Sequence, residues 1–339
     1  MALPAWHPER LAARLPYLAV RSRILAATRA HFSASGYSEI ETPALVPSPG
    51  AEVHLAAFET AYEPHLGAGA QQRLFLRTSP ELAIKRLLAG GVGPVFEIAR
   101  VWRNGELSAR HAPEFTMLEW YRPGLSMAGL MDEAEAYLRA VWPDCPAAPF
   151  RLITMAEAFF RWCNGLDILA TVRADGLGDA AALQAATASA GLETRADEDW
   201  ESGFFRLMLE HVEPRLATEP SFLTHWPSPQ AALARRDAAD PRAALRFELF
   251  AGGMELANAF EELTDPQEQR RRLEADMAER VRVHGPGAAW PVDEDFLAAL
   301  ELGMPPCAGI ALGLDRLVML VSGARRIEDV QWLPLKGLP

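Results

Sequence analysis

The chain has 339 residues, half of them apolar, with 33 basic and 45 acidic side chains, a net charge of -12 and an isoelectric point near 5.2. This is enough apolar material for a large core, and the acidic balance excludes a broad cationic surface that binds nucleic acid by counterion release. Cys145, Cys163 and Cys307 form neither a close pair at metal spacing nor an even set for disulfides, which fits a reducing cytoplasm.

Met1 to Arg10 holds Pro4, His7, Pro8, Glu9 and Arg10 where a secretory signal needs an unbroken apolar run. The apolar stretch Gly309 to Ala324 is interrupted by Asp315 and Arg316, two charges that a membrane span would not carry at its centre. A soluble cytoplasmic protein without a membrane partner is expected.

Ala19 to Ser35 reads as a helix closed by Gly36, followed by an extended segment from Tyr37 to Leu45 that Pro43 breaks. Glu63 to Gln72 reads as a loop, Leu74 to Arg77 as a short strand, and Ser79 to Leu88 as a helix with Ser79 as N-cap and Pro80 in its first turn. Val95 to Asn104 and Phe115 to Arg122 are rich in aromatic and β-branched residues and read as an antiparallel pair with a long loop. Helical patterns cover Ala128 to Arg139 and Asp175 to Ala190, and residues 125–240 as a whole are expected to be a helical insertion. A hairpin at Gly252-Gly253, a charged helix from Pro266 to His284, and a strand and helix from Gly309 to Ser322 complete the chain.

Alternation along the strand pair places Phe115, Met117, Glu119 and Tyr121 on one face, and Arg103 with Val101 and Ala99 on one face of the other strand. A charged Glu119 among apolar neighbours needs a partner if that face is buried, and Arg110 and His111 in the loop can reach a polyanion. A plain ribbon with a charged tip has the same spacing. The whole phrase, Arg103-Asn104 and then Arg110-His111-Ala112-Pro113-Glu114-Phe115-Thr116-Met117-Leu118-Glu119-Trp120-Tyr121, closely resembles motif 2 of class II lysyl-tRNA synthetases. The resemblance implies that Arg103 holds the α-phosphate of ATP, His111 reaches the terminal phosphate and Phe115 stacks on adenine. It also assigns Asn104, Gly105 and Glu106 to the ATP site. Gly105 stands where the family has an acidic residue, with Glu106 one position further on.

In Arg246-Phe247-Glu248-Leu249-Phe250-Ala251-Gly252-Gly253-Met254-Glu255, a two-residue turn would pair Phe250 with Glu255 and leave Glu248 diagonal to it, roughly 7 Å away. Two such carboxylates either face solvent or share a cation, and Mg²⁺ takes one or two carboxylates plus phosphate oxygens. The next run, Glu255-Leu256-Ala257-Asn258-Ala259-Phe260-Glu261-Glu262-Leu263, resembles the same family's second acidic segment. That likeness implies metal ligation by Glu248 and Glu255, ATP contacts from Glu255 and Leu256, substrate orientation by Asn258, and capture of a lysine ammonium by Glu262. Simple alternation cannot bring Glu255, Asn258 and Glu262 to one strand face, so a bulge or a change to helix is required.

Gly309, Ala311 and Gly313 alternate and leave one strand face nearly bare, an arrangement that packing alone can also produce. With Asp315-Arg316 following, the segment resembles motif 3, which implies ATP contacts from Gly313 and Arg316. Glu39 to Leu45 resembles motif 1, the family's dimer interface, and implies a homodimer. The implied fold is α+β: a single domain over residues 1–339 with the class II synthetase core, an antiparallel sheet flanked by helices. Its expected parts are motif 1 at about 36–60, motif 2 at about 95–123, the helical insertion, and the acidic hairpin with motif 3 at about 246–322.

The motif 1 resemblance begins almost at the start of the sequence, so the anticodon-binding barrel of lysyl-tRNA synthetases is not expected here. In this the chain resembles the elongation factor P lysine ligases, paralogues that form an aminoacyl-adenylate, generally of (R)-β-lysine, and pass it to a lysine of elongation factor P. By the same resemblance Ser79, Pro80, Glu81, Glu119, Tyr121, Asn258, Glu262 and Ala311 bind the amino acid. Glu81 also suits a first-turn acid on its helix. Ala311 stands where lysyl-tRNA synthetases have glycine; its methyl either fills space near the α-amino end of lysine or only stiffens the strand. The expected reactants are ATP with Mg²⁺, lysine or (R)-β-lysine, and elongation factor P instead of tRNA. A minimal lysyl-tRNA synthetase and a non-catalytic synthetase-like protein are the competing readings.

Overall fold

The computed structural model describes residues 3–50, 52–65, 67, 69 and 71–335, so part of the loop expected over Glu63 to Gln72 lies outside the described residues. Helix α1 (Pro8–Ala34) starts well before the expected Ala19 and runs through Pro16. Its buried stripe is Arg14, Leu18, Arg21, Ile24, Thr28 and Phe32, three or four residues apart, as one helix face requires. The two arginines tie it down: Arg14 donates to the Gln331 and Trp332 carbonyls, and Arg21 pairs with Asp315. These anchors hold the N-terminal turns that Pro16 would loosen.

Strands β1 (Ser38–Glu39) and β2 (Leu45–Val46) are short, on either side of Pro43, and β3 (Glu59–Tyr62) and β4 (Gln72–Leu76) make a small sheet with β2 in the order β2-β4-β3. Helix α2 (Glu81–Ala89) begins at Glu81 with Pro80 as N-cap, two residues later than expected. Ser79 is not the cap, although its Oγ accepts from the Glu81 N–H at 3.0 Å. Strands β5 (Val95–Trp102) and β6 (Glu114–Pro123) form the expected antiparallel pair, and α3 (Met127–Val141) follows.

Residues 125–240 also hold α4 (Met155–Trp162), α5 (Ala180–Ser189) and α6 (Trp200–Leu207), but the region is not purely helical. Its strands β7 (Arg151–Thr154) and β8 (Ser221–Pro227) extend the main sheet, β8 by pairing with β9 (Ala243–Ala251). Most of β8 is buried on both faces, so the polar and apolar alternation that marks a half-exposed strand is missing from it. Helix α5 starts at Ala180, capped by Asp179, because Arg173 to Leu177 closes a turn in which Asp175 accepts from the Leu177 N–H.

Strand β10 (Met254–Glu261) completes the hairpin with β9, and Gly252 and Gly253 form its two-residue turn at φ values of 58° and 71°. Helix α7 (Pro266–His284) matches its expected bounds; α8 (Glu294–Gly303), β11 (Cys307–Gly313) and α9 (Leu314–Ser322) follow. Among the described residues the main sheet has eight strands in the order β1-β5-β6-β11-β10-β9-β8-β7, antiparallel except at its two ends.

One sheet face packs against α1, α3 and α9 around an aromatic cluster in which Phe32 stacks on Phe96 at 5.0 Å and meets Trp120, Tyr37 and Tyr137 within 5.3 Å. The opposite face carries the candidate site. No described helix is long and apolar enough to cross a membrane.

Candidate active site

Directly opposed residues in a sheet share a face, so the strand registers define the front face. On β5 and β6, Val95, Glu97, Ala99 and Val101 lie opposite Tyr121, Glu119, Met117 and Phe115. On β11, Gly309, Ala311 and Gly313 lie opposite Tyr121, Glu119 and Met117. Strand β10 then places Asn258 opposite Ala311 and Phe260 opposite Gly309, and β9 places Glu248 opposite Asn258 and Phe250 opposite Glu255. The register slips at Leu256, between Glu255 and Ala257. This bulge is the irregularity that the sequence required, and it returns Asn258 to the face of Glu255.

Above this face is a cleft of about 530 Å³. It is lined at one end by Arg103, Glu106, His111, Phe115 and Arg316, and at the other by Ser79, Glu81 and Tyr121. Glu248, Glu255, Leu256, Asn258, Ala311 and Gly313 also line it. Glycine at 309 makes room for the Tyr121 ring and the Glu262 carboxylate, because a Cβ there would stand 2.0 Å from the ring and 2.7 Å from Glu262 Oε1. Asn104 and Gly105 are exposed in the turn after Arg103, with Gly105 at φ 80°, and Pro80 is buried at the start of α2; none of the three lines the cleft.

At the cationic end, the Arg103 guanidinium lies 5.3 Å over the Phe115 ring and 3.9 Å from the Glu106 carboxylate. Glu106 therefore stands close to where Gly105 withholds an acid. Arg316 Nη1 donates to the Glu255 carbonyl at 2.8 Å, and Nη2 meets His111 Nε2 at 2.7 Å. A guanidinium has no acceptor, so His111 Nε2 accepts and its Nδ1–H donates to Ser108 Oγ at 2.7 Å. Burial, reinforced by Arg316, lowers the His111 pKa and keeps this neutral tautomer.

The carboxyl of Glu248 is pushed up to about 8 by burial and by Glu255, against the pull of Arg246. A cation between Glu248 and Glu255 would relieve that repulsion. Two carboxylates beside the cationic end of the cleft are a donor set that fits Mg²⁺, which takes one or two carboxylates and fills the rest of its shell with other oxygens. No larger group of histidine, cysteine or acidic ligands at metal spacing occurs among the described residues.

At the acidic end, Glu119 is wholly buried, accepting from Ser79 Oγ at 2.6 Å and from Tyr121 OH at 2.9 Å. Burial, with Glu81 nearby, pushes its carboxyl up to about 8. Glu119 and Glu262 both sit beneath the cleft instead of lining it. Lys85, on α2, reaches Glu81 at 2.5 Å and Glu262 at 2.6 Å. Burial pushes Glu262 up and works against the Lys85 charge, while each partner favours the ionised form of the other. The short contacts, and a second carboxylate on the ammonium, decide for the ion pair. Glu262, expected to receive a substrate ammonium, thus already holds an internal one.

Sequence reasoning missed Lys85, Arg246, and the acidic margin of Glu52, Glu201 and Asp276. Lys85 follows Glu81 by four residues, a spacing typical of exposed helix pairs. The marginal acids carry no local signal, since distant elements bring them together. Burial and Glu201 push the Asp276 carboxyl up to about 7.

The sequence family described as tRNA synthetases class II (D, K and N) matches residues 11–337. A relative from Proteus mirabilis (strain HI4320), named elongation factor P--(R)-beta-lysine ligase, is 41% identical over 335 residues, which cover 97% of each chain. With a family match over nearly the whole sequence and the motif residues gathered along one face of the sheet, the chain belongs to the class II tRNA synthetase family and is an ATP-dependent ligase of that type.

Proposed function

We propose that the chain activates a lysine-type amino acid, (R)-β-lysine in preference to α-lysine, as its adenylate and passes the acyl group to a lysine ε-amine of elongation factor P. The observation that carries the chemistry is one continuous cleft with Arg103 and Arg316 at one end and Ser79, Glu81 and Tyr121 at the other, where the buried Glu119 accepts from Ser79 and Tyr121. The acceptor and the β-amino acid come from the name of the Proteus mirabilis relative.

In this reading Arg103 binds the α-phosphate and offsets the charge that develops when the substrate carboxylate attacks it and pyrophosphate leaves. Arg316 holds the terminal phosphates, with His111 beside it as the acceptor that orients its guanidinium, and Phe115 supports adenine. Glu248 and Glu255 would hold Mg²⁺, which when bound neutralises phosphate charge. The acidic end orients the substrate ammonium groups. The acceptor amine then attacks the mixed anhydride carbonyl, forming an amide and releasing AMP. No side chain becomes covalently attached.

We further propose that the reaction runs in the cytoplasm and that the chain works as a homodimer through the segment containing Pro43 and Leu45, where Leu45 is exposed. The deciding experiment is ATP-pyrophosphate exchange with α-lysine and (R)-β-lysine, followed by transfer of labelled amino acid to purified elongation factor P or tRNA. Exchange with (R)-β-lysine and label on the protein are expected. Label on tRNA alone would establish a minimal synthetase, and no exchange with either isomer would exclude adenylation.

A further inference from the structure

The Arg246 guanidinium is held on its edges and on one face. Nε donates to Asn258 Oδ1 at 3.1 Å, Nη2 donates to Glu248 Oε1 at 2.6 Å, and Nη1 donates to the Gln230 carbonyl. Its central carbon lies over the Trp226 ring, 4.0 Å from the ring centroid. Because arginine offers five N–H donors and no acceptor, the Asn258 atom that faces it has to be the amide oxygen. The Asn258 NH₂ is then the group left to face the cleft, which Asn258 lines directly opposite Ala311.

We infer that Arg246 is a positioning residue that sets the polarity of Asn258, so that the cleft presents an oriented N–H donor to the carboxylate of the amino-acid substrate. An asparagine without this anchor can turn its amide over and offer oxygen, which repels a carboxylate. The same guanidinium braces Glu248, so a single side chain couples the carboxylate-binding and cation-binding parts of the cleft. Lysine cannot replace it, because a point charge lacks the planar fork needed to serve Asn258 and Glu248 together while stacked on Trp226. This inference rests on the adenylation reading, which requires a substrate carboxylate in line with the α-phosphate, and adds what fixes the amide of the asparagine that faces it.

The test is calorimetric binding to the full chain of two probes, (R)-β-lysine and 1,4-diaminopentane, the same diamine without its carboxylate. In Arg246→Lys, (R)-β-lysine should bind about tenfold or more weakly, as expected for losing a hydrogen bond to a charged group. The diamine should be unchanged within about twofold. Equal weakening of both probes, or no weakening of (R)-β-lysine, overturns the inference. Asn258→Asp keeps the oxygen that Arg246 binds but exchanges the donor for a second oxygen, so it too should weaken (R)-β-lysine selectively; equal losses would count against the role. Absence of any amino-acid-dependent pyrophosphate exchange in the unaltered chain is a separate result that removes the adenylation reading itself.

Discussion

The ammonium of Lys85 lies 2.6 Å from the carboxylate of Glu262, and neither side chain has exposed surface. Removing one member of such a pair strands the other charge in a medium that cannot solvate it, whereas removing both charges can be close to neutral.

Lys85→Met should therefore destabilise the fold by about 3 to 5 kcal/mol, read from the urea midpoint. The loss should grow as pH rises, because the stranded Glu262 has a raised pKa, and a carboxyl raised on folding favours the native state only while it is protonated. The Lys85→Met, Glu262→Gln double variant should recover at least half of the loss. A double variant as unstable as Lys85→Met alone would show that packing, and not charge, is what Lys85 supplies.

Glu119 gives a prediction of opposite sign. Its carboxyl is raised to about 8 by burial and by Glu81, so its contribution to stability is greatest below the ordinary glutamate range and declines as pH rises towards 8. Glu119→Gln should therefore stabilise the ligand-free protein by about 2 kcal/mol at pH 9 and by little at pH 5. Thermal melts at the two pH values check this, and equal effects at both would contradict the raised pKa. The same substitution should impair amino-acid activation.

Gly309→Ala should leave ATP binding intact and reduce amino-acid activation by about a hundredfold or more. The added methyl meets the Tyr121 ring and Glu262 Oε1, both at the acidic end and away from Arg103 and Arg316. Nucleotide titration and pyrophosphate exchange separate the two effects. Normal amino-acid activation would mean that Tyr121 moves aside freely.

Ala311→Gly should increase activation of α-lysine relative to (R)-β-lysine, by about tenfold if one methyl contributes between 1 and 3 kcal/mol to discrimination. Ala311 lies between Glu119 and Asn258 in the sheet register and lines the cleft beside Asn258. An unchanged ratio of kcat/KM for the two isomers would leave the methyl a purely structural role.

The strands that carry the site were legible because their chemistry is local. The Gly252-Gly253 turn sets the register of Phe250 against Glu255, and the alternation of Phe115 to Tyr121 sets one wall of the cleft. Residues whose roles arise from packing were not. Lys85 has the spacing of a surface pair and becomes buried only when α2 closes over Glu262, and Arg246 reads as an ordinary strand charge until Trp226 comes to lie beneath it. Strand β8 was hidden because burial on both faces erases alternation. The first turns of α1 were missed because Pro16 argues locally against a helix that Arg14 secures through the distant Gln331.

The slip at Leu256 makes the far half of β10 depend on parity. Asn258 and Phe260 reach the cleft side because an odd residue has been absorbed upstream of them, so deleting any one residue between Glu255 and Asn258 would swap the strand's two sides from that point on. Exchanges of side chain at Leu256 alter packing, whereas changes of length there would turn Asn258 into the helix-packed core and Ala257 and Ala259 outward. Around Leu256 the strand therefore tolerates an exchange of side chain more readily than a change of length.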